Sequence, residues 1–445
     1  MKLTRILSPD FYKLVFVILL LAITLNAKEI KDKDSYTFNY WNSKALTEYN
    51  NGDKKKALKY FNKARLLEAS NSDISNAIHQ IGKILVELKD YDNAIKYYMM
   101  AIEKENSDSM HKLAFIYHVV LKNNNLAIKY YKMAIEKENS DSMYNLAILY
   151  TELNENDKAI EYYMMAIKKE DSEAMFGLAS LYEALQENNK AIKYYKMGIE
   201  KEDSSAMNGL AVFYHQILKN NDKAIKYYMM AIEKENPRAM NNLAFLYKEL
   251  EENNKAIKYY KMAIEHKHYD SMNNLASLYN DLKNNNEAIK YYMMAIKKED
   301  SKAMYNLANL YSELKINDKA IKYYKMAIEK KHSGAMYNLA LLYHKVLKEN
   351  NKAIKYYMMA IDNEYYDAIN NLAVLYVIQK NNDLAIKYYK MAIEKENSSA
   401  MFNLALLYHY RLKNYEKAVK YYEMAIEKKH SGARKNLKIL YKELI

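Results

Sequence analysis

Residues Ala288–Tyr311 read AIKYYMMAIKKEDSKAMYNLANLY, and small variants of this stretch recur from residue 94 almost to residue 445. The Ala that opens each Ala-Ile-x-Tyr-Tyr serves as a ruler, with relaxed neighbours at the ends. It falls at Ala57, Ala94, Ala127, Ala159, Ala191, Ala224, Ala256, Ala288, Ala320, Ala353, Ala385 and Ala418. After Ala127 every step is 32 or 33 residues. This repeat decides the fold. An array grows in one dimension, each copy burying its apolar face against its neighbours instead of against a central core.

Each copy reads as two helices. In helix B, the Ala, Tyr and Ala at ruler positions zero, four and seven share one face at a period of 3.6. Helix A is the Met-x-Asn-Leu-Ala-x-Leu-Tyr run. Asp157, Asn189, Asp222 and Asn254, two residues before their ruler Ala, are expected to cap helix B. At Asn139-Ser140 and Asp171-Ser172, the Asn or Asp is expected to end helix B in the left-handed region and the Ser to cap the next helix A. Pro237 fits the first helical position.

Trp41, Ala45, Gly52, Ala57, Phe61 and Ala64 stand at tetratricopeptide spacings, and this first unit resembles that family. Ala147 to Ala159 is twelve residues, the tetratricopeptide distance within a pair. Ala159 to Met175 is sixteen, which is similar to the Sel1-like junction, with Glu170 where that family usually has Gly. The resemblance implies an all-α, right-handed α-solenoid of about twelve helix-turn-helix repeats plus a C-terminal cap helix, Ala433–Leu444. The expected organisation is a leader at 1–27, a flexible lead-in at 28–37 and two tetratricopeptide-like repeats at 38–106. Ten tandem tetratricopeptide/Sel1-like repeats at 107–430 and the cap at 431–445 follow. Four copies are one residue longer, each with a His after the helix A Tyr (His118, His215, His344, His409), and a longer helix A is expected there. Helix B also alternates between Tyr-Tyr-Met-Met and Tyr-Tyr-Lys-Met, as at Met164 and Lys196, a double unit of about 65 residues.

Composition excludes several classes. Seven Gly and two Pro are too few for a phosphate loop or a multi-stranded β fold, and with no Cys there is no disulfide framework or thiolate metal site. Nucleophile-elbow, zinc-protease and calcium-loop patterns are missing from the sequence. Ser109–Lys112 and Ser312–Lys315 match Ser-x-x-Lys without its companion motifs. His266-Lys267-His268 sits at a junction where other copies carry Lys331-His332 and Lys429-His430, which points to capping. The reading is a non-enzyme without cofactor or metal. Met175, Met207, Met240, Met272 and Met304 occupy the place of the tetratricopeptide Trp, so the many Met and Tyr residues are expected in the core.

Lys2, Arg5 and Lys13 precede an apolar run, Leu14–Leu25, and Ala27 offers a small residue for cleavage. Twelve helical residues cover about 18 Å, less than a bilayer core of about 30 Å. This predicts export to the periplasm, envelope or exterior, the alternative being an uncleaved anchor. The net charge is +13; removing Lys2, Arg5, Lys13 and Asp10 (+2) leaves +11.

By resemblance, helix A lines the concave surface. Two residues after its Met stands a row of Asn: Asn145, Asn242, Asn274, Asn306, Asn338, Asn371 and Asn403, interrupted at Lys112, Gly177 and Gly209. A carboxamide both donates and accepts. The row can pair with the backbone of an extended peptide, or it can bond neighbouring turns and stiffen the stack. The residue after the Met varies, as in Tyr144, Phe176, Asn241, Asn273, Tyr305, Tyr337 and Phe402, and would set groove preference. The expected function is an exported protein–protein interaction scaffold; the alternative is an envelope adaptor using a basic convex surface on anionic glycan or lipid. Nucleic acid is not an expected partner.

Overall fold

The computed structural model describes residues 37–444. The leader and nearly all of the lead-in lie outside these residues. Among the described residues there are 25 α-helices and three π-helical turns, and no strand. The helices alternate as helix A and helix B, from Phe38–Asn50 and Lys54–Ala64 to Tyr415–Glu427, and the solitary helix Ala433–Glu443 follows. The described residues form two compact units, 37–219 and 220–444. Within each, helix A packs mainly on the helix B of its own pair, and helix B packs on the next helix A. This is the nearest-neighbour architecture of a solenoid.

The core is as the spacing implies. The ruler alanines are fully buried, as are Tyr98, Tyr131, Tyr228 and Tyr357 four residues on. Met175, Met207, Met240, Met272 and Met304 are also buried. Full burial of each such apolar side chain contributes about 1.5–3 kcal/mol. The Met/Lys alternation has a physical counterpart. Tyr194 Oη donates to Met164 Sδ at 3.3 Å, Tyr259 to Met229 at 3.4 Å and Tyr323 to Met293 at 3.1 Å. Each thioether receives the hydroxyl of the following copy.

The corners depart from expectation. Asn139 caps the next helix A rather than ending helix B, its Oδ1 accepting from Ser142 N at 3.0 Å; Asp171 does the same for Ala174 N at 3.1 Å. Asn139 and Asp171 are extended, while the left-handed residues are the preceding Glu138 (φ 61°) and Glu170 (φ 63°). Asp157, Asn189, Asp222 and Asn254 are each the second residue of helix B, whose caps are Glu155, Glu187, Asn220 and Glu252. The whole corner begins one or two residues earlier than the polar residues suggest. An Asn or Asp serves better where its side chain can accept an orphan N–H than where only its backbone is used.

Twenty-two non-glycine residues among the described ones therefore hold positive φ. Several of the glutamates among them reach a lysine of the next copy, such as Glu170 to Lys201 at 3.0 Å and Glu299 to Lys330 at 2.8 Å. Exposed pairs of this kind add little.

The four longer copies do not extend helix A regularly. They widen it. Ile116–Val120, Leu342–Leu347 and Leu407–Arg411 are π-helical turns, and after His215 the N–H of Leu218 bonds Phe213 O, five residues back, at 3.1 Å. A residue inserted into a regular α-helix rotates everything beyond it by about 100°. A π turn absorbs it and keeps the apolar face in register on both sides.

Lys315 holds φ 58° at a helix A–helix B corner and has no ion pair among the described residues. Replacing it with Gly should stabilise the array by roughly 1 kcal/mol, because a left-handed backbone carries no Cβ penalty in Gly. Urea denaturation of Lys315→Gly measures this; an unchanged or lower midpoint would show that the corner is not strained.

Candidate functional site: the helix-A face

The asparagine row is half-buried, and most of its amide groups are directed at the preceding copy. Asn274 Nδ2 donates to Asn241 Oδ1 at 3.0 Å, Asn306 to Asn273 at 3.0 Å and Asn403 to Asn370 at 3.0 Å. Asn338 donates to Tyr305 Oη at 3.0 Å and to Asn309 Oδ1 at 2.9 Å, and Asn371 donates to Tyr337 Oη at 2.9 Å. Asn145 instead bonds its own helix, at Asp141 O, 2.8 Å away, while Asn242 Oδ1 faces Asn241 Nδ2 at 3.4 Å. The stiffening role is thus present for the donors. In Asn274, Asn306, Asn338, Asn371 and Asn403 the carboxamide oxygen has no protein partner among the described residues. The row is one-sided: hydrogens go to the neighbouring copy and acceptors remain.

The variable residues after the Met are also tied to the stack. Tyr144 packs obliquely on Tyr163 at 6.1 Å, and Phe176 on Tyr195 at 6.0 Å. Tyr305 stacks on His332 at 4.5 Å, Phe402 on His430 at 4.4 Å, and Tyr337 leans on Tyr365 at 4.9 Å. Asn241 Oδ1 also accepts from Ser271 Oγ at 2.9 Å. Each groove residue therefore shapes the surface together with its neighbours. Asn309, beside Asn306 on helix A, accepts from Tyr324 Oη at 2.6 Å as well as from Asn338. The junction residues His332 and His430 cap as the sequence suggested, His332 Nδ1 accepting from Ala335 N at 3.2 Å and His430 Nδ1 from Gly432 N at 3.3 Å; their packing, and that of Tyr365, on the helix A aromatics was not read from the sequence. Their signal was present, as aromatic residues at equivalent junctions.

The glycine gaps have a steric cause. A Cβ on Gly177 would meet the Tyr163 ring at 2.6 Å, and one on Gly209 would meet Tyr195 and Phe176 at 2.7 Å. The ring of the buried helix B Tyr occupies the space that an Asn side chain would need.

Three recesses open on this face. One of about 790 Å³ is lined by Asn241, Asn242, Asn273 and Asn274 with Arg238 and Lys298. Another of about 650 Å³ is lined by His111, Tyr144, Asn145 and Glu173, and a third of about 470 Å³ by Asn309, Tyr324 and Asn338. The Lys298 ammonium lies over the Tyr269 ring, 4.3 Å from its centroid. Among the described residues, no cluster of three or more His, Asp or Glu could hold a metal ion.

The tetratricopeptide-repeat profiles match residues 38–71, 75–103, 140–168, 173–202, 237–265, 269–297, 302–330, 334–364 and 366–394. The Sel1-repeat profile matches 107–139, 204–236 and 398–430. The chain belongs to the tetratricopeptide and Sel1-like repeat family. The Sel1-repeat matches are copies with the extra helix A residue, at His118, His215 and His409. The fourth longer copy, at His344, matches the tetratricopeptide profile instead, so the inserted residue does not by itself separate the two kinds of copy. Proteins built from these repeats are typically non-enzymatic scaffolds that bind protein partners. No curated protein matches the chain. A Sel1 repeat protein from Oxalobacter formigenes is 17% identical, over 63% of this chain and 90% of that one, with TM-score 0.48. A human IFIT1 dimer with PPP-AAAA is 17% identical over 82% and 92%, with TM-score 0.42. The MamA protein is 23% identical over 37% and 94%, with TM-score 0.32. No helix among the described residues is long and apolar enough to cross a membrane.

The repeat face also holds two buried histidines. His79 Nδ1 lies 2.9 Å from Ser109 Oγ, and His111 Nδ1 lies 3.0 Å from Ser142 Oγ. Burial disfavours the charged ring and, together with Lys112, lowers the His111 pKa from 6.5 to about 4. The unfolded chain then binds more protons than the folded one between pH 6.5 and 4. The stability associated with neutral His111 is full above pH 6.5 and lost as the pH falls through about 4, a loss of roughly 3 kcal/mol. His111→Asn should reduce this acid sensitivity and keep the serine bond, as Asn241 does with Ser271. Urea midpoints at pH 7.5 and pH 4.5 measure it; the same pH loss in wild type and variant would assign the sensitivity elsewhere.

Proposed function

We propose that this protein is an exported, non-enzymatic scaffold that holds an extended segment of a partner protein along its helix-A face. The observation that carries this reading is the one-sided asparagine row. Asn274, Asn306, Asn338, Asn371 and Asn403 commit their amide donors to the array and keep a carbonyl oxygen without a protein partner among the described residues. A peptide backbone offers N–H groups, which such oxygens accept whatever the peptide sequence. A net contribution of about 0.5–1.5 kcal/mol per bond means that several in register are needed for useful affinity. Selectivity then comes from the variable neighbours: Asn241 and Asn273 make a polar stretch, while Tyr305, Tyr337 and Phe402 make an aromatic one. Export rests on the leader-like residues 1–27; mass spectrometry of the native N-terminus tests it, a start at Lys28 supporting cleavage and a start at Met1 opposing it.

Because the row also holds the stack together, removing asparagines confounds binding with folding. A peptide selected from a random library against the pure protein avoids this. Replacing alternate backbone N–H groups of that peptide with N-methyl groups should weaken binding by tenfold or more, from the loss of two or three hydrogen bonds. Titration calorimetry of methylated and unmethylated peptide reads the difference. Equal affinities would reject backbone capture by the row.

A further inference from the structure

The opposite side of the array carries a second feature, which the helix-A reading does not use. The lysines of the 220–444 unit fall into rows, and the rows differ in how they are neutralised. One row lies at the start of helix B and meets a glutamate three residues earlier at Lys255 (Glu252) and Lys352 (Glu349), while its Lys319 and Lys417 lie over Tyr311 and Tyr408. A second lies just beyond helix B and reaches the left-handed glutamate of the preceding copy, as Lys330 does with Glu299 at 2.8 Å and Lys428 with Glu396 at 3.0 Å.

The third row lies two residues after the ruler Ala. Lys226, Lys258, Lys322, Lys355, Lys387 and Lys420 are all exposed, and none has a carboxylate partner among the described residues. Each ammonium instead rests 5.4–5.9 Å from the ring centroid of the next residue, a tyrosine. In five of these copies that tyrosine is itself stacked on a helix A tyrosine, as in Tyr311–Tyr323 and Tyr343–Tyr356. The stack holds the ring, and the ring supports the lysine stem. The equivalent Lys290 of the remaining copy pairs with Glu287.

We propose that this row binds a linear acidic polysaccharide, one anionic sugar segment per copy, on the helix-B side. The inference is independent of peptide capture on the helix-A face. Pairing takes up Lys255, Lys330, Lys352 and Lys428 of the flanking rows but not Lys319, Lys395 or Lys417, whereas six of the seven copies keep the unpaired cation two residues after the ruler Ala, at the repeat spacing. A file of this kind is complementary to a chain of anions. It suits a flexible polymer better than a bilayer, which needs a broad basic and apolar area. It also suits it better than single-stranded nucleic acid, because the tyrosine faces that bases would stack on are covered by other tyrosines and by lysine.

The test uses the full chain with sodium polygalacturonate as probe and dextran as the neutral control. Two variants lose the same charge: Lys322→Gln/Lys355→Gln/Lys387→Gln/Lys420→Gln from the unpaired row, and Lys255→Gln/Lys330→Gln/Lys352→Gln/Lys428→Gln from the paired rows. Circular dichroism establishes that both are folded. The wild type should bind polygalacturonate and not dextran, with affinity falling steeply from 50 to 300 mM salt. The unpaired-row variant should bind at least about tenfold more weakly, the summed effect of four exposed charges, and the paired-row variant within about twofold of wild type. Equal losses in both variants would reduce the effect to net charge and overturn the row. So would wild-type binding to dextran, or stronger retention on phosphatidylglycerol vesicles or poly(dT) than on polygalacturonate.

Discussion

The array depends on how closely its helices can approach, and alanine sets that distance. The ruler Ala, the Ala seven residues on and the helix A Ala are fully buried in most copies, so helices meet nearly backbone to backbone there. At Gly198, which replaces one of these alanines, an added Cβ would lie 2.8 Å from the Ala206 Cβ. The local packing is that tight. Around these small residues the Tyr and Met side chains fill the remaining volume, and the apolar face of each copy is covered only when the next copy is in place.

Everything functional is built on surfaces that this packing leaves over. Helix B lies against two helices, and its outer side chains repeat with the array. Helix A is buried by the same contacts, but its asparagine and aromatic positions emerge between successive copies. The asparagines are accordingly shared between two tasks. Their N–H groups are drawn to the neighbouring copy, where Asn273, Tyr305 or Tyr337 accepts, because that surface is half-buried and an unpaired donor there would be costly. Their oxygens point away from it. A stiff array with a regular line of acceptors is pre-organised, so ordering it on binding costs little.

Most of the fold was legible from spacing. The ruler Ala, the Tyr four residues later and the helix A Met gave the helices, their pairing and the core, because a 3.6-residue period leaves few alternatives over a dozen copies. The corners were less legible. Asn139 and Glu138 both stand at the turn, and only backbone geometry decides that Glu138 takes the left-handed position while Asn139 caps. The extra residue at His118, His344 and His409 was visible as a count, but a count does not separate a longer helix from a π turn. The asparagine row was legible as a row. The direction of its hydrogens was not, since it depends on Tyr305 and Tyr337 hydroxyls contributed by the preceding copy, some 33 residues earlier in sequence.

The central claim is that the helix-A face presents backbone-accepting oxygens to a protein segment. A crystal structure of the full chain with a library-selected peptide examines it most directly. The account predicts peptide N–H groups within about 3.2 Å of the Oδ1 atoms of Asn274, Asn306, Asn371 and Asn403, with the Nδ2 bonds to the preceding copies intact. A peptide seated on helix B, or one held along helix A by its side chains alone with those oxygens left unengaged, would contradict it.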